Sequence, residues 1–315
     1  MSAALSTSPV VGADDQLAAG PEAPARTPRR LRRESGMNPI DYNARSKAFR
    51  VLATVVLLLF ALIWLVPLVF AVITSLKPEG EIASNPTSWW SNHFNFDAYA
   101  KVVQNTPILT WYLNSFIIAA LTVVLTLLVC SMIGFALAQT RFRGRGAVFG
   151  LILAGLLIPG QILVLPLYQE IQAMGLLNTY WAMVLPAVAA PVAVFIFEAF
   201  FAGLPRALVE AARIDGASWF AVYWRICLPL CRPAVSAVAI FTFVTSWNNF
   251  LWPLLVLSDV NQMTIPVGMA TVVGGYGIQY AQVMATAVLG ALPLFVVFVL
   301  FQRRIVEGVA STGIK

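Results

Sequence analysis

Six stretches of this chain, roughly residues 50–76, 111–139, 147–168, 180–203, 233–257 and 279–302, run apolar almost without interruption. A helix needs about 20 apolar residues to cross roughly 30 Å of hydrocarbon, and each stretch is long enough. The pattern predicts an all-α integral membrane protein with six transmembrane helices. Composition agrees: 59% of the 315 residues are hydrophobic and 11% charged, where a soluble domain carries about 25% charged residues. Pro67, Pro159, Pro166, Pro186, Pro191, Pro253 and Pro293 interrupt the runs. Such breaks are tolerated in a membrane where neighbouring helices or a polar cavity satisfy the freed backbone.

The net charge of +6 is distributed by side rather than as a binding stripe for nucleic acid. Alternate connections hold 18 Lys and Arg on one side of the predicted spans, against Lys77 and Lys101 on the other. The positive-inside rule then places both termini and the 204–233 loop in the cytoplasm. Residues 1–49 carry no apolar run and no signal-peptide core. Their Ala, Pro, Ser and Arg content predicts a disordered cytoplasmic tail ahead of a single domain, 50–315. The first outer loop holds Trp89, Trp90, Phe94, Phe96, Tyr99 and the lone histidine, His93. These aromatics fit an interfacial belt first, and a surface touched by an outer partner second. Cys130, Cys227 and Cys231 form no disulfide framework and suit small apolar packing.

One cytoplasmic stretch does not look like an ordinary loop. Residues 210–217 read E-A-A-R-I-D-G-A, within L-P-R-A-L-V-E-A-A-R-I-D-G-A-S-W-F-A-V-Y-W-R-I-C-L-P-L-C-R-P over 204–233. Pro205 suits a first helical turn, the Ala-rich run is a good helix former, and Gly216 can supply a left-handed stop. Ala207, Ala211 and Asp215 fall on one face, which permits close approach of another surface. A second amphipathic piece is expected over about Ser218–Leu228, with Pro229 and Pro233 separating it from the next span. The expected result is an exposed helix-turn-helix presenting Glu210 and Asp215 to the cytosol.

The stretch E-A-A-x-x-D-G-A followed by I-x-L-P resembles the EAA loop of ABC importer permeases of the type I fold. Glu210, Ala211, Ala212, Asp215, Gly216, Ala217, Ile226, Leu228 and Pro229 fall on that pattern. Within the family the chain is most similar to MalG-like carbohydrate permeases. The residues that carry this are I-P-G-Q-I-L-V-L-P-L-Y (158–168), G-L-L-N-T-Y-W (175–181), W-N-N-F-L-W-P-L (247–254), F-Q-R-R-I-V-E-G (301–308) and the final G-I-K. Two positions depart from the subfamily pattern: Asn249 stands where an acid is common, and Glu198 where a basic or neutral residue is. The resemblance implies a type I ABC importer transmembrane domain in a bacterial plasma membrane, whose EAA loop is a coupling helix seated in a cytoplasmic ATPase. It further implies a homologous second permease, an ATPase dimer that binds ATP and Mg, an extracytoplasmic solute-binding protein, and alternating access. It also implies that the tail from Gln302 onward touches the ATPase.

The chain's own chemistry is compatible with that division of labour. None of its four lysines, Lys47, Lys77, Lys101 and Lys315, follows a glycine, so it has no P-loop. The glycine-dense Gly274-Gly275-Tyr276-Gly277 stretch falls on the outer side and lacks a lysine. A single histidine and the lack of a paired-carboxylate motif argue against hydrolase or metal chemistry. No cofactor is expected in this chain. Glu198 is the one acid well inside a predicted span, whereas an ion-coupled carrier buries a relay of ionisable groups. The deep polar groups are neutral: Gln161 in the third span, and Thr242, Thr245, Ser246, Asn248 and Asn249 in the fifth, beside Trp247. Amides and hydroxyls among aromatic rings suit an uncharged polyhydroxyl solute, and equally suit interhelical hydrogen bonding. Gln161, Trp247, Asn248 and Asn249 are the expected lining of a translocation path for a sugar or polyol. The alternatives are an ABC permease for a peptide or amino acid, an ion-coupled secondary transporter, and a membrane scaffold.

Overall fold

The computed structural model describes the backbone of residues 47–275 and 279–312, with side chains over 49–272 and 279–302; among these residues every regular element is a helix. In chain order the helices are α1 (Lys47–Ser75), α2 (Glu79–Ser84), α3 (Asp97–Asn105), α4 (Ile108–Gln139), α5 (Arg145–Gly155), α6 (Gly160–Ala173), α7 (Tyr180–Val188) and α8 (Pro191–Ala202). They continue with α9 (Arg206–Ile214), α10 (Trp219–Leu230), α11 (Arg232–Trp247), α12 (Leu251–Val256), α13 (Ile265–Gly275) and α14 (Tyr280–Thr312). Most of the expected N-terminal tail lies outside the described residues, as do part of the glycine-dense stretch and the side chains after Gln302.

Three helices are long and apolar enough to cross a membrane unaided, over Phe49–Ser75, Ile108–Gln139 and Tyr280–Gln302. Three further crossings arise when each of three bent pairs counts as one span. The pair α5 and α6 turns through 99°, so the run at 147–168 is not the straight span its hydropathy suggests. Pro159 accounts for the turn: its backbone is extended at ψ 125°, and it lacks the N–H that would carry α5 onward. The pair α7 and α8 bends by 44° next to Ala190, which is held extended ahead of Pro191. The pair α10 and α11 bends by 80° at Cys231. The expected fifth run, 233–257, is likewise split, because α11 ends at Trp247 and α12 restarts at Leu251.

The chain divides into two units inside α1, Met1–Phe60 and Ala61–Lys315. Among the described residues the first is one helical run, in which the Thr54 hydroxyl donates to the Arg50 carbonyl at 2.9 Å. The second is built around α4, which packs on α7, α8 and α11. A small residue lets α4 take that place: a Cβ on Gly134 would lie 2.6 Å from the Phe197 Cβ and 2.9 Å from the Glu198 nitrogen. At the end of the bundle that carries the 204–233 loop, Cys130, Phe135, Phe197, Phe201, Tyr223 and Cys227 share one core cluster. All three cysteines are buried there as free thiols.

The opposite end is pinned by polar side chains. Asn178, at φ 58°, accepts from the backbone N–H of Ser258 at 2.5 Å and of Asp259 at 3.0 Å. Asn114 donates to the Asn261 and Met263 carbonyls at 2.7 and 2.9 Å and accepts from the Tyr180 hydroxyl at 2.7 Å. Glu79 accepts from the N–H groups of Tyr280 and Ala281 at 2.6 and 2.9 Å, which caps the start of α14. Trp90 and Phe96, on the segment between α2 and α3, are both exposed, and Trp90 stands edge-on to Phe94.

Candidate coupling turn and polar path

The E-A-A-R-I-D-G-A stretch closes α9 with a tight two-bond cap. The Ala217 N–H reaches the Ala212 carbonyl at 2.9 Å and the Gly216 N–H the Arg213 carbonyl at 3.2 Å, a Schellman arrangement. Gly216 is at φ 83°, which is why a glycine stands there. The turn is also clasped from the side, since an Arg213 Nη donates to the Ala217 carbonyl at 2.7 Å. The same guanidinium lies 4.9 Å from the centre of the Trp219 ring. Ser218 then caps α10 by accepting from the Ala221 N–H at 3.2 Å.

The motif residues divide by face. Val209 is buried, and Ala212, Ala217 and Leu228 pack against the core cluster to which α4, α8 and α10 contribute. Glu210, Ala211, Asp215 and Gly216 are exposed, as is Ala207 on the expected face. Among the described residues neither carboxylate has an ion pair or a hydrogen bond. Asp215 occupies the C-cap of α9, where the helix dipole disfavours an acid, so the local helix gives no reason for it. Ile214 beside it is 86% exposed. From the sequence Ile214 reads only as a helix former; the signal that it faces outward is its position opposite Val209 and Ala212.

Pro229 does not end the second piece as expected. A π-helical turn over Tyr223–Cys227 lets the Leu228 N–H reach back to the Tyr223 carbonyl. Widening the helix there accommodates a proline that has no N–H to contribute. The helix continues to Leu230 and breaks at Cys231. Ile226 is half-buried and Pro229 exposed. Tyr223 ties α10 to the bundle through a 2.7 Å hydroxyl contact with Ser131 on α4.

The four expected path residues occupy different surroundings. Trp247 is buried and stacks on Phe243 at 5.6 Å, with its indole N–H toward the Gly290 carbonyl at 3.4 Å. It closes α11 and packs toward α4 and α14. Asn248 is exposed and donates to the Val244 carbonyl one turn back at 2.9 Å. Gln161 is exposed at the start of α6, just past the break at Pro159. Asn249 lies in a cavity of about 120 Å³ with Thr122, Thr242, Thr245 and Ser246. Among the described residues the Thr122 hydroxyl in this cavity is buried without a hydrogen-bond partner. Its neighbour Thr126, one turn along α4, is in the same state. The sequence does not single out Thr122, because it lies in an apolar run of α4 with no motif around it. Glu198 does not stand alone: its carboxylate is 3.6 Å from an Arg145 guanidinium nitrogen, across the gap between α8 and α5.

Residues 131–311 match the family described as binding-protein-dependent transport system inner membrane component. The chain is 39% identical over 267 residues to the arabinooligosaccharides transport system permease protein AraQ of Halalkalibacterium halodurans, covering 84% of this chain and 96% of that protein. It is 34% identical over 269 residues to the diacetylchitobiose uptake system permease protein NgcG of Streptomyces coelicolor, covering 84% of this chain and 89% of that protein. A crystal structure of a bacterial ABC transporter involved in the import of the acidic polysaccharide alginate shares the fold, with a TM-score of 0.73 at 21% identity over 82% of this chain and 98% of that one. The chain is therefore a multi-pass membrane permease and belongs to the family of inner membrane components of binding-protein-dependent ABC transport systems.

Proposed function

We propose that this permease forms half of the path of an ATP-driven carbohydrate importer, with the α9 turn as its docking element for a cytoplasmic ATPase. The observation that carries the reading is the pair Glu210 and Asp215. Both are exposed and unpaired among the described residues, on a turn held by its cap and locked to the bundle through Val209 and Ala212. An element that offers unsatisfied charge outside and apolar contact inside can pass a push from a partner into α4, α8 and α10. A homologous permease, two copies of the ATPase and an extracytoplasmic solute-binding protein complete the assembly. ATP and Mg belong to the ATPase, and both termini of this chain face the cytoplasm with the 204–233 loop.

The cargo is an uncharged sugar or polyol. Its support is the neutral cavity around Asn249, where the orphaned Thr122 hydroxyl is available to a polyhydroxyl solute as the path opens. The arabinooligosaccharide and diacetylchitobiose systems of the relatives point the same way. The test is ATPase activity of the chain co-purified with its companion permease, ATPase and binding protein in lipid, against a panel of sugars, polyols and amino acids. One sugar should stimulate hydrolysis, and Glu210→Lys should remove that stimulation at near-normal membrane abundance. Stimulation by an amino acid alone would refute the carbohydrate reading, and an ATPase that never co-purifies would refute the docking role.

A further inference from the structure

Four arginines converge on one cleft beside the coupling turn. A cavity of about 570 Å³ lies between the end of α4, the loop after it, the start of α5 and the flank of α9. Arg141, Arg145, Arg206 and Arg213 line it, and Glu210 is the one acid among its lining residues. Two of the four are engaged: Arg145 faces Glu198 at 3.6 Å, and Arg213 clasps Ala217 and Trp219. Arg141 and Arg206 have neither an ion pair nor a hydrogen bond through their side chains among the described residues. With Glu210 inside the cleft and Glu198 beside it, four guanidinium charges face two carboxylates, and the surplus is positive.

We propose that this cleft binds the phosphodiester headgroup of an anionic lipid from the cytoplasmic leaflet. Guanidinium forks match phosphate oxygens in a bidentate way, and a basic pocket at the cytoplasmic edge of membrane helices is a recurring form of lipid headgroup site. The apolar surroundings select a lipid over a small anion. Val148, one turn past Arg145 on α5, is exposed, and Leu151 in the next turn is 76% exposed. Phe142, beside Arg141, and Trp219 at the cleft are exposed as well. A ligand with a charged phosphate and acyl chains satisfies both features at once, its head among the arginines and its chains along α5. The volume is ample for a headgroup. Bound there, the lipid braces α9 against α4 and α5 next to the coupling turn. The inference rests on the cytoplasmic placement of the 204–233 loop proposed above.

The experiment uses the full chain with its companion permease, without ATPase or solute, in nanodiscs of phosphatidylcholine alone or with added phosphatidylglycerol. Native mass spectrometry then reads which lipid stays bound after extraction. The wild type should retain phosphatidylglycerol. Arg141→Gln with Arg206→Gln should bind it about thirtyfold more weakly, from two surface charges removed. Lys101→Gln, far from the cleft, should match wild type. Equal retention by the double variant overturns the proposal. Displacement of the retained lipid by inorganic phosphate at constant ionic strength assigns the cleft to a small anion and also overturns it, as does loss of the lipid on adding the ATPase. Because this readout needs neither hydrolysis nor solute, its failure is separate from failure of the importer reading.

Discussion

Replacing Gly216 isolates the proposed coupling turn from everything else in the molecule. The residue sits at φ 83°, and a Cβ built there meets no atom of the described residues within 4 Å. The cost of Gly216→Ala is therefore the left-handed backbone alone, about 1–2 kcal/mol for an L-residue. If the docked state needs the cap closed by the bonds to Ala212 and Arg213, that cost becomes about a five- to thirtyfold weaker hold on the ATPase. Asn tolerates this backbone region better than Ala, so Gly216→Asn should fall between glycine and alanine. Gly216→Pro cannot reach positive φ and also loses the N–H that bonds Arg213, so it should abolish docking. The assay is titration of the purified permease pair with the ATPase, alongside uptake in cells at matched membrane abundance. The order Gly, Asn, Ala, Pro supports the turn as the coupling element. Alanine binding as well as glycine, or asparagine worse than alanine, would refute the reasoning.

Two further substitutions test the packing and the path. Gly134→Ala forces a Cβ to within 2.6 Å of the Phe197 Cβ and 2.9 Å of the Glu198 nitrogen. The α4–α8 contact must open, at a cost of about 1–3 kcal/mol, visible as a lower melting temperature in detergent. Gly150→Ala on α5 meets no atom of the described residues within 4 Å and should not lower it. Thr122→Val removes a buried hydroxyl that has no hydrogen-bond partner among the described residues, so stability should hold or rise. If that hydroxyl serves the solute, the KM for uptake should rise by about two- to twelvefold, the value of one neutral hydrogen bond; an unchanged KM assigns Thr122 to packing.

The amino-acid order by itself determines what depends on short-range backbone chemistry and on partition into lipid. Apolar runs mark helices because a membrane leaves the backbone few other solutions. Gly216 marks the end of α9 because the left-handed cap is a property of that residue and its neighbours. The prolines are legible as breaks, although their geometry is not. The 99° angle at Pro159 and the π turn ahead of Pro229 are visible only in the folded chain. Only the tertiary structure decides which polar groups meet. Arg145 and Glu198 are paired across two separate helices, and four arginines from distant segments share one cleft. Trp247 and Asn249 are close neighbours in the chain, yet one packs from the end of α11 against α4 and α14 while the other lines a cavity. A helix turns about 100° per residue, and the chain ends one helix at Trp247. Which side of α11 faces the interior is set by α4 and α14, and nothing in the local sequence reports where those helices lie.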